Sequence, residues 1–207
     1  MTDKTTAGVP VTVDVDLLRD EVRDHYSQVA VAPHDEYHFH TGRDAALKVG
    51  YASDLLDGVP EKAIEAFAGV ANPFHFGVPA AGENVVDIGS GAGTDAMIAA
   101  LAVGDEGRVI GVDMTSEMLD LARSTAAEEG MSNIEFRHGL AEDLPIEDGW
   151  ADLVISNGVL NLVPDKVVAY NEIMRVLRPG GRLQVADICV EKPIPESAKA
   201  DIDLWTG

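Results

Sequence analysis

The residues best placed to do chemistry are Asp87-Ile88-Gly89-Ser90-Gly91-Ala92-Gly93-Thr94. The run follows the apolar stretch Val85 to Ile88 and opens an apolar helical pattern, Thr94 to Val103. Glycines at alternate positions let the backbone turn tightly and approach a ligand closely. A helix that starts after such a loop presents N–H groups with no partner inside the helix. A dinucleotide fingerprint needs G-x-G-x-x-G. Counted from Gly89, its third glycine would fall at Thr94, so Gly89, Gly91 and Gly93 disfavour a nicotinamide-dependent oxidoreductase. The alternative is a Gly-rich turn with no ligand.

Asp113 closes the next apolar stretch, in Gly111-Val112-Asp113-Met114. A carboxylate there can accept hydrogen bonds from both hydroxyls of a ribose, and Met114 can pack on a base. Its bland reading is a charge at a helix N-terminus. Two further loops leave predicted strands: Gly139 to Pro145, and Ile155 to Lys166 with Ser156, Asn157 and Asn161. Ligands bind at the carboxyl ends of parallel strands, so both loops are candidate walls; a polar surface turn is the other reading of each.

Histidines supply candidate bases. His34, His38 and His40 stand in one short segment with Asp35 and Glu36, and His75 lies in Pro73-Phe74-His75-Phe76. Their side chains titrate near neutrality and suit proton abstraction. The first three, with the two acids, also have a composition that binds metal, or are polar groups of a lid segment that satisfy one another. No metal is assigned. Phe39, Phe74 and Phe76 fit either a pocket wall or plain core.

These groups need a scaffold, and the chain from Asn84 onward spells one. Predicted strands at Val85 to Ile88, Arg108 to Val112, Ile134 to Phe136, Ala151 to Ile155 and Arg182 to Ile188 alternate with helices at Thr94 to Val103, Ser116 to Glu129 and Asp165 to Leu177. Strands apolar on both faces and joined by helices predict an α/β fold, a mostly parallel sheet covered on both sides. Three zones follow: a disordered tail at 1–10, an N-terminal helical lid or substrate region at 11–82, and a Rossmann-like ligand-binding domain at 83–207. The lid region holds predicted helices at Asp14 to Val29, Asp44 to Val49 and Pro60 to Val70.

Composition excludes several classes. The chain has 207 residues and a formal net charge of -21, with 36 acidic against 15 basic residues. So acidic a surface repels phosphate backbones and anionic membranes, which excludes nucleic acid and membrane partners. Asp is abundant and Lys scarce, which fits either a solvated surface or adaptation to high salt. A single cysteine, Cys189, excludes a disulfide framework. With no secretory signal and no long apolar run, the expected location is the cytoplasm.

The D-x-G-x-G-x-G spacing resembles the first motif of S-adenosylmethionine-dependent methyltransferases. Val109 to Thr115, Ile155 to Lys166 and Arg175-Val176-Leu177-Arg178-Pro179-Gly180-Gly181 together resemble the arsenite methyltransferase family, with quinone-biosynthesis C-methyltransferases as wider kin. The resemblance implies S-adenosylmethionine as cofactor and in-line methyl transfer to a small-molecule acceptor. It places Asp87, Gly89, Ser90, Gly91 and Gly93 at the methionyl part and Asp113 at the ribose. It sets Met114, Ala141 and Glu142 beside the adenine, and Ser156 and Asn157 facing the methyl group. His34, His38, His40 and His75 serve as bases only if the acceptor must lose a proton.

The departures are equally specific. The family holds trivalent arsenic with cysteine thiolates, as a soft metalloid requires. One such cysteine belongs where Val70 stands in Gly69-Val70-Ala71-Asn72-Pro73, and another where Gly158 stands; the N-terminal cysteine pair is missing too. Leu140 replaces an Asp common in relatives. The resemblance thus implies the cofactor and reaction type but not arsenic, and leaves a non-catalytic cofactor-binding or assembly protein as the alternative. A full sheet of this class carries two more strands after the fifth, so an exposed sheet edge is expected, with a homodimer as one way to cover it.

Overall fold

The computed structural model of the protein describes residues 13–33, 35, 37, 40–192 and 205. The expected tail, His34 and His38 lie outside the described residues.

Four helical pieces come first: α1 (Val15–Val31), α2 (Gly42–Lys48), α3 (Ser53–Leu56) and α4 (Glu61–Glu65), then a 3-10 turn at Pro73–Phe76. The α/β part follows as β1 (Asn84–Ile88), α5 (Thr94–Val103), β2 (Arg108–Asp113), α6 (Ser116–Glu128), β3 (Ile134–His138), β4 (Ala151–Asn157), α7 (Lys166–Val176) and β5 (Leu177–Ala186).

All five strands are parallel, in the order β3-β2-β1-β4-β5. The direction in which successive strands are added to the sheet reverses between β1 and β4. The first three strands wind one way and put α5 and α6 on one face; β4 and β5 wind the other way and put α7 on the opposite face. Two cores result. Val85, Leu153 and Ile155 pack with α5, α6 and the N-terminal helices. Val86, Ile88 and Val154 pack with Ala169, Ile173 and Val176 of α7. This is the Rossmann-like sheet that the apolar strand runs imply. Among the described residues, β3 and β5 are its edges.

Local chemistry explains the elements. Asp14 caps α1, its carboxylate accepting the Asp16 and Leu17 N–H groups at 3.2 Å. Leu18, Val22 and Val29 form the buried stripe of that helix. Helix α5 is buried on nearly every side, and its alanines let it lie close to the sheet.

Two expectations need correction. The helix predicted over Pro60 to Val70 ends at Glu65, because Phe67 turns inward against Tyr51, ring centroids 5.2 Å apart, and Gly69 to Ala71 is held by Asn157. Helix α6 starts at Ser116 as predicted, with Thr115 at its N-cap position. The last helix stops at Val176, and β5 starts at Leu177, not Arg182. Leu177 pairs with Ala151 and Arg182 with Leu153, so the residues between loop out in a bulge that Gly180 turns at φ +85°. Arg182 anchors the resumed strand through two bonds to Glu83, at 2.6 and 2.7 Å.

Candidate functional site

The sheet reversal opens a cavity at the carboxyl ends of β1, β2 and β4. Its floor is the glycine loop. Gly89, Gly91 and Gly93 all have left-handed φ, at +69°, +51° and +91°. The Gly89 and Ser90 N–H groups donate to Val112 O at 2.8 and 3.1 Å, which ties the loop to β2. A Cβ on Gly89 would come 2.1 Å from Val159 Cγ2, so no other residue fits. Gly93 does not line the cavity; its space is taken by Phe136, whose Cζ would lie 2.7 Å from a Cβ there.

Asp113 locks this loop to the end of β2. Its Oδ2 accepts the Gly91 N–H and its Oδ1 the Thr115 N–H, both at 2.8 Å. The residue lines the cavity, and a carboxylate oxygen can accept more than one hydrogen bond. Burial raises its carboxyl above the ordinary range, while these donors pull it back down.

Two buried polar atoms beside the loop have no hydrogen-bond partner in the protein: Asp87 Oδ2 and Ser90 Oγ. Both residues line the cavity. Leaving such a group unsatisfied costs about 1–3 kcal/mol, more if charged. The wall therefore fits a ligand that brings polar, cationic groups, as an S-adenosylmethionine amino-acid end does.

On the far side, Met114, Gly139, Leu140, Ala141 and Glu142 form a mixed wall. Glu142 is tied to Arg19 of α1 at 3.1 Å, and Leu18, Val22 and Tyr26 of α1 also line the cavity. Helix α1 thus closes one side. Tyr26 is partly buried, and desolvation with the negative fields of Asp113 and Asp187 pushes its hydroxyl up to about 12.

Asn157 is the junction of the site. Its Oδ1 accepts the Val70 and Ala71 N–H groups at 2.9 and 3.3 Å. Its amide nitrogen meets Ala71 O at 2.8 Å, Tyr51 OH at 3.0 Å and Asp95 Oδ2 at 3.1 Å. Tyr51 OH in turn donates to Asp95 Oδ1 at 2.5 Å. Gly69 is needed here, since a Cβ would lie 2.3 Å from Asn157 Nδ2.

Of the residues named from sequence, the structure gathers Asp87, Gly89, Ser90, Gly91, Asp113, Met114, Ala141, Glu142 and Asn157 around one cavity. Ser156 is not brought in: it is fully buried and alternates to the other face of β4 from Asn157. His40 and His75 are exposed and line no part of the cavity; His75 stacks edge-on with Phe76, centroids 5.1 Å apart. Among the described residues no group of three or more His, Cys, Asp or Glu is placed to hold a metal. No helix among them is long and apolar enough to cross a membrane.

Asp95, Tyr51, Gly69 and the α1 side chains were missed. Asp95 had a signal, an acid in the first turn right after the glycine loop. Tyr51 had none, for it reaches the site across 44 residues of chain.

A family profile described as "Methyltransferase domain" matches residues 79–206. The chain is 42% identical over 167 residues to an arsenite methyltransferase of Halobacterium salinarum, covering 81% of this chain and 42% of that protein. It is 38% identical over 114 residues to a demethylmenaquinone methyltransferase of Lactococcus lactis, covering 55% and 44%. The crystal structure of an arsenic(III) S-adenosylmethionine methyltransferase from Chlamydomonas reinhardtii superposes with a TM-score of 0.64 at 41% identity, covering 70% of this chain and 51% of that one. The chain spans less than half the length of these curated relatives.

Proposed function

The chain belongs to the S-adenosylmethionine-dependent methyltransferase family, and from that premise we propose that it transfers a methyl group in line to a small-molecule acceptor seated near Asn157. The observation that carries this reading is the pair of cavity-facing carboxylates at the sheet reversal, Asp113 fixed by two backbone donors and Asp87 with one oxygen unpartnered.

Bound there, S-adenosylmethionine supplies a methyl group already activated by its sulfonium. The residues of this chain have the remaining work of orienting and drying the site. Asp113 would accept the ribose hydroxyls. Met114, Leu140 and Ala141 offer an apolar slot for the adenine, and the Glu142–Arg19 pair fastens α1 beside it. Asp87 and Ser90 take the amino-acid end. Gly69, Asn157, Gly158 and Val159 border the cavity beside that end, next to where the methyl group would lie, and an acceptor would be seated there. Residues 11–82 then act as lid and acceptor wall, and residues 83–207 as the cofactor-binding part. Holding two reactants in line is worth about 7–11 kcal/mol, enough for most of the acceleration without a base.

The acceptor differs from arsenite held by thiolates, since Val70 and Gly158 bring no sulfur. The same observation favours a second reading, a cofactor-binding protein without turnover. Incubation with methyl-labelled S-adenosylmethionine and a panel of quinols, phenols, amines, thiols and arsenite separates them. We expect label in an organic acceptor and none in arsenite. Label in arsenite would overturn the substrate reading, and cofactor binding with no label in any acceptor would favour the second one.

A further inference from the structure

Asp87 and Asp95 approach the same end of the cavity, from the end of β1 and the first turn of α5, and both line it. They are 2% and 7% exposed. Their partners differ. Asp95 receives donors on both oxygens, from Tyr51 and Asn157. Asp87 receives the Ala96 N–H, and its Oδ2 receives nothing from the protein. A buried charge without donors costs far more than a neutral carboxyl, and two adjacent buried carboxylates resist ionising together. The other titratable groups facing Asp87 are Asp113 and Tyr51, and neither is a cation. Among the described residues that line the cavity, Arg19 is the one cation, and it is paired with Glu142.

We propose that Asp87 and Asp95 form a proton-releasing seat for the cofactor's α-ammonium, with Asp87 protonated until that cation arrives and Asp95 kept ionised by Tyr51 and Asn157. The inference rests on the cofactor reading above. The Asp87 O–H bond breaks, its electron pair stays on the carboxylate, and the proton leaves to solvent; nothing is oxidised or reduced. Burial, then Asp95 and Asp113, hold the Asp87 carboxyl well above the ordinary range, in keeping with this order. Burial also raises Asp95, while its two donors lower it. Binding selects the ionised Asp87, so affinity rises with pH until Asp87 is ionised before the ligand arrives.

The test is calorimetric titration of the chain with S-adenosylhomocysteine, in two buffers of different ionisation enthalpy, at several pH values from about 6 to about 8.5. The expected result is a buffer-dependent heat that reports up to about one proton released per ligand, and a Kd that weakens by up to about tenfold per unit fall in pH. 5′-Methylthioadenosine, which has no amino-acid end, should bind with no buffer-dependent heat. Asp95→Asn, checked for folding by circular dichroism, should release fewer protons. Binding of S-adenosylhomocysteine with buffer-independent heats at every pH overturns the proposal and leaves the cofactor reading intact. Equal release with 5′-methylthioadenosine also overturns it, by moving the proton to the ribose side. No binding by a folded chain overturns the cofactor reading and this proposal with it.

Discussion

Val70 and Gly158 are neighbours: a Cβ on Gly158 would lie 3.1 Å from Val70 Cγ1. They are two of the positions at which the resemblance to arsenite methyltransferases expects thiolates. The segment after α4 and the loop after β4 therefore converge as an arsenic site would require, with the Val70 methyl groups and a bare glycine where the thiolates would stand. Val70→Cys combined with Gly158→Cys should build a dithiol. We expect this double variant to capture about one equivalent of phenylarsine oxide, a probe for paired thiols, and the parent chain, with its lone exposed Cys189, to capture none. Gly158 has φ +72°, so the added side chain should cost about 1–2 kcal/mol in a urea titration. Failure of the double variant, folded, to bind the probe would mean that the two positions do not face each other.

The glycines separate strain from packing. Gly130 has φ +67° and open space around its Cβ position, whereas Gly89 has φ +69° and Val159 in the way. Gly130→Ala should cost about 1–2 kcal/mol, from backbone strain alone. Gly89→Ala should cost roughly 3 kcal/mol or more and weaken S-adenosylhomocysteine binding, since Val159 lines the cavity. Equal urea midpoints for the two variants would contradict the close approach of the loops.

Asn157 holds the N-terminal part to the sheet. Asn157→Ala leaves the Val70 and Ala71 N–H groups and Asp95 short of partners, at a cost of about 2–4 kcal/mol. Hydrogen exchange at Val70 and Ala71 should accelerate in step. Unchanged protection there would show that Asn157 does not hold that segment.

How far the sequence carried these conclusions depends on reach along the chain. The parallel sheet and α5 over Thr94–Val103 follow from apolar runs and spacing within a few residues, and the structure has both; of the glycine loop, Gly89 and Gly91 line the cavity and Gly93 does not. The junction does not, because Tyr51, Asp95 and Asn157 meet only after the strands are ordered. Pro60 to Val70 reads as one helix because nothing local reveals that Asn157 claims its end. Ser156 and Asn157 look equivalent in sequence, yet the two-residue period of β4 sends them to opposite faces.

Asp87 also shapes stability against pH. Its carboxyl lies well above the ordinary range, through burial first and then Asp95 and Asp113. A carboxyl raised by folding contributes stability in full below its unfolded value, near ~4, and that contribution is lost as pH rises through the folded value. Asp87→Asn keeps an oxygen for the Ala96 N–H and cannot ionise. Without ligand it should melt a few degrees above the parent chain at alkaline pH, and the gap should close as pH falls. A variant that melts lower at every pH would show that the carboxylate stabilises the fold.

The central claim is that S-adenosylmethionine binds across Asp87 and Asp113, and calorimetric titration with S-adenosylhomocysteine tests it most directly. Asp113→Ala removes the acceptor of the Gly91 and Thr115 N–H groups together with the proposed ribose contact. The parent chain should bind in the micromolar range and Asp113→Ala about 100-fold more weakly or not at all, because charge-assisted bonds are worth about 1.5–3 kcal/mol each. No heat from a well-folded parent chain, or equal affinity in the folded variant, would contradict the account.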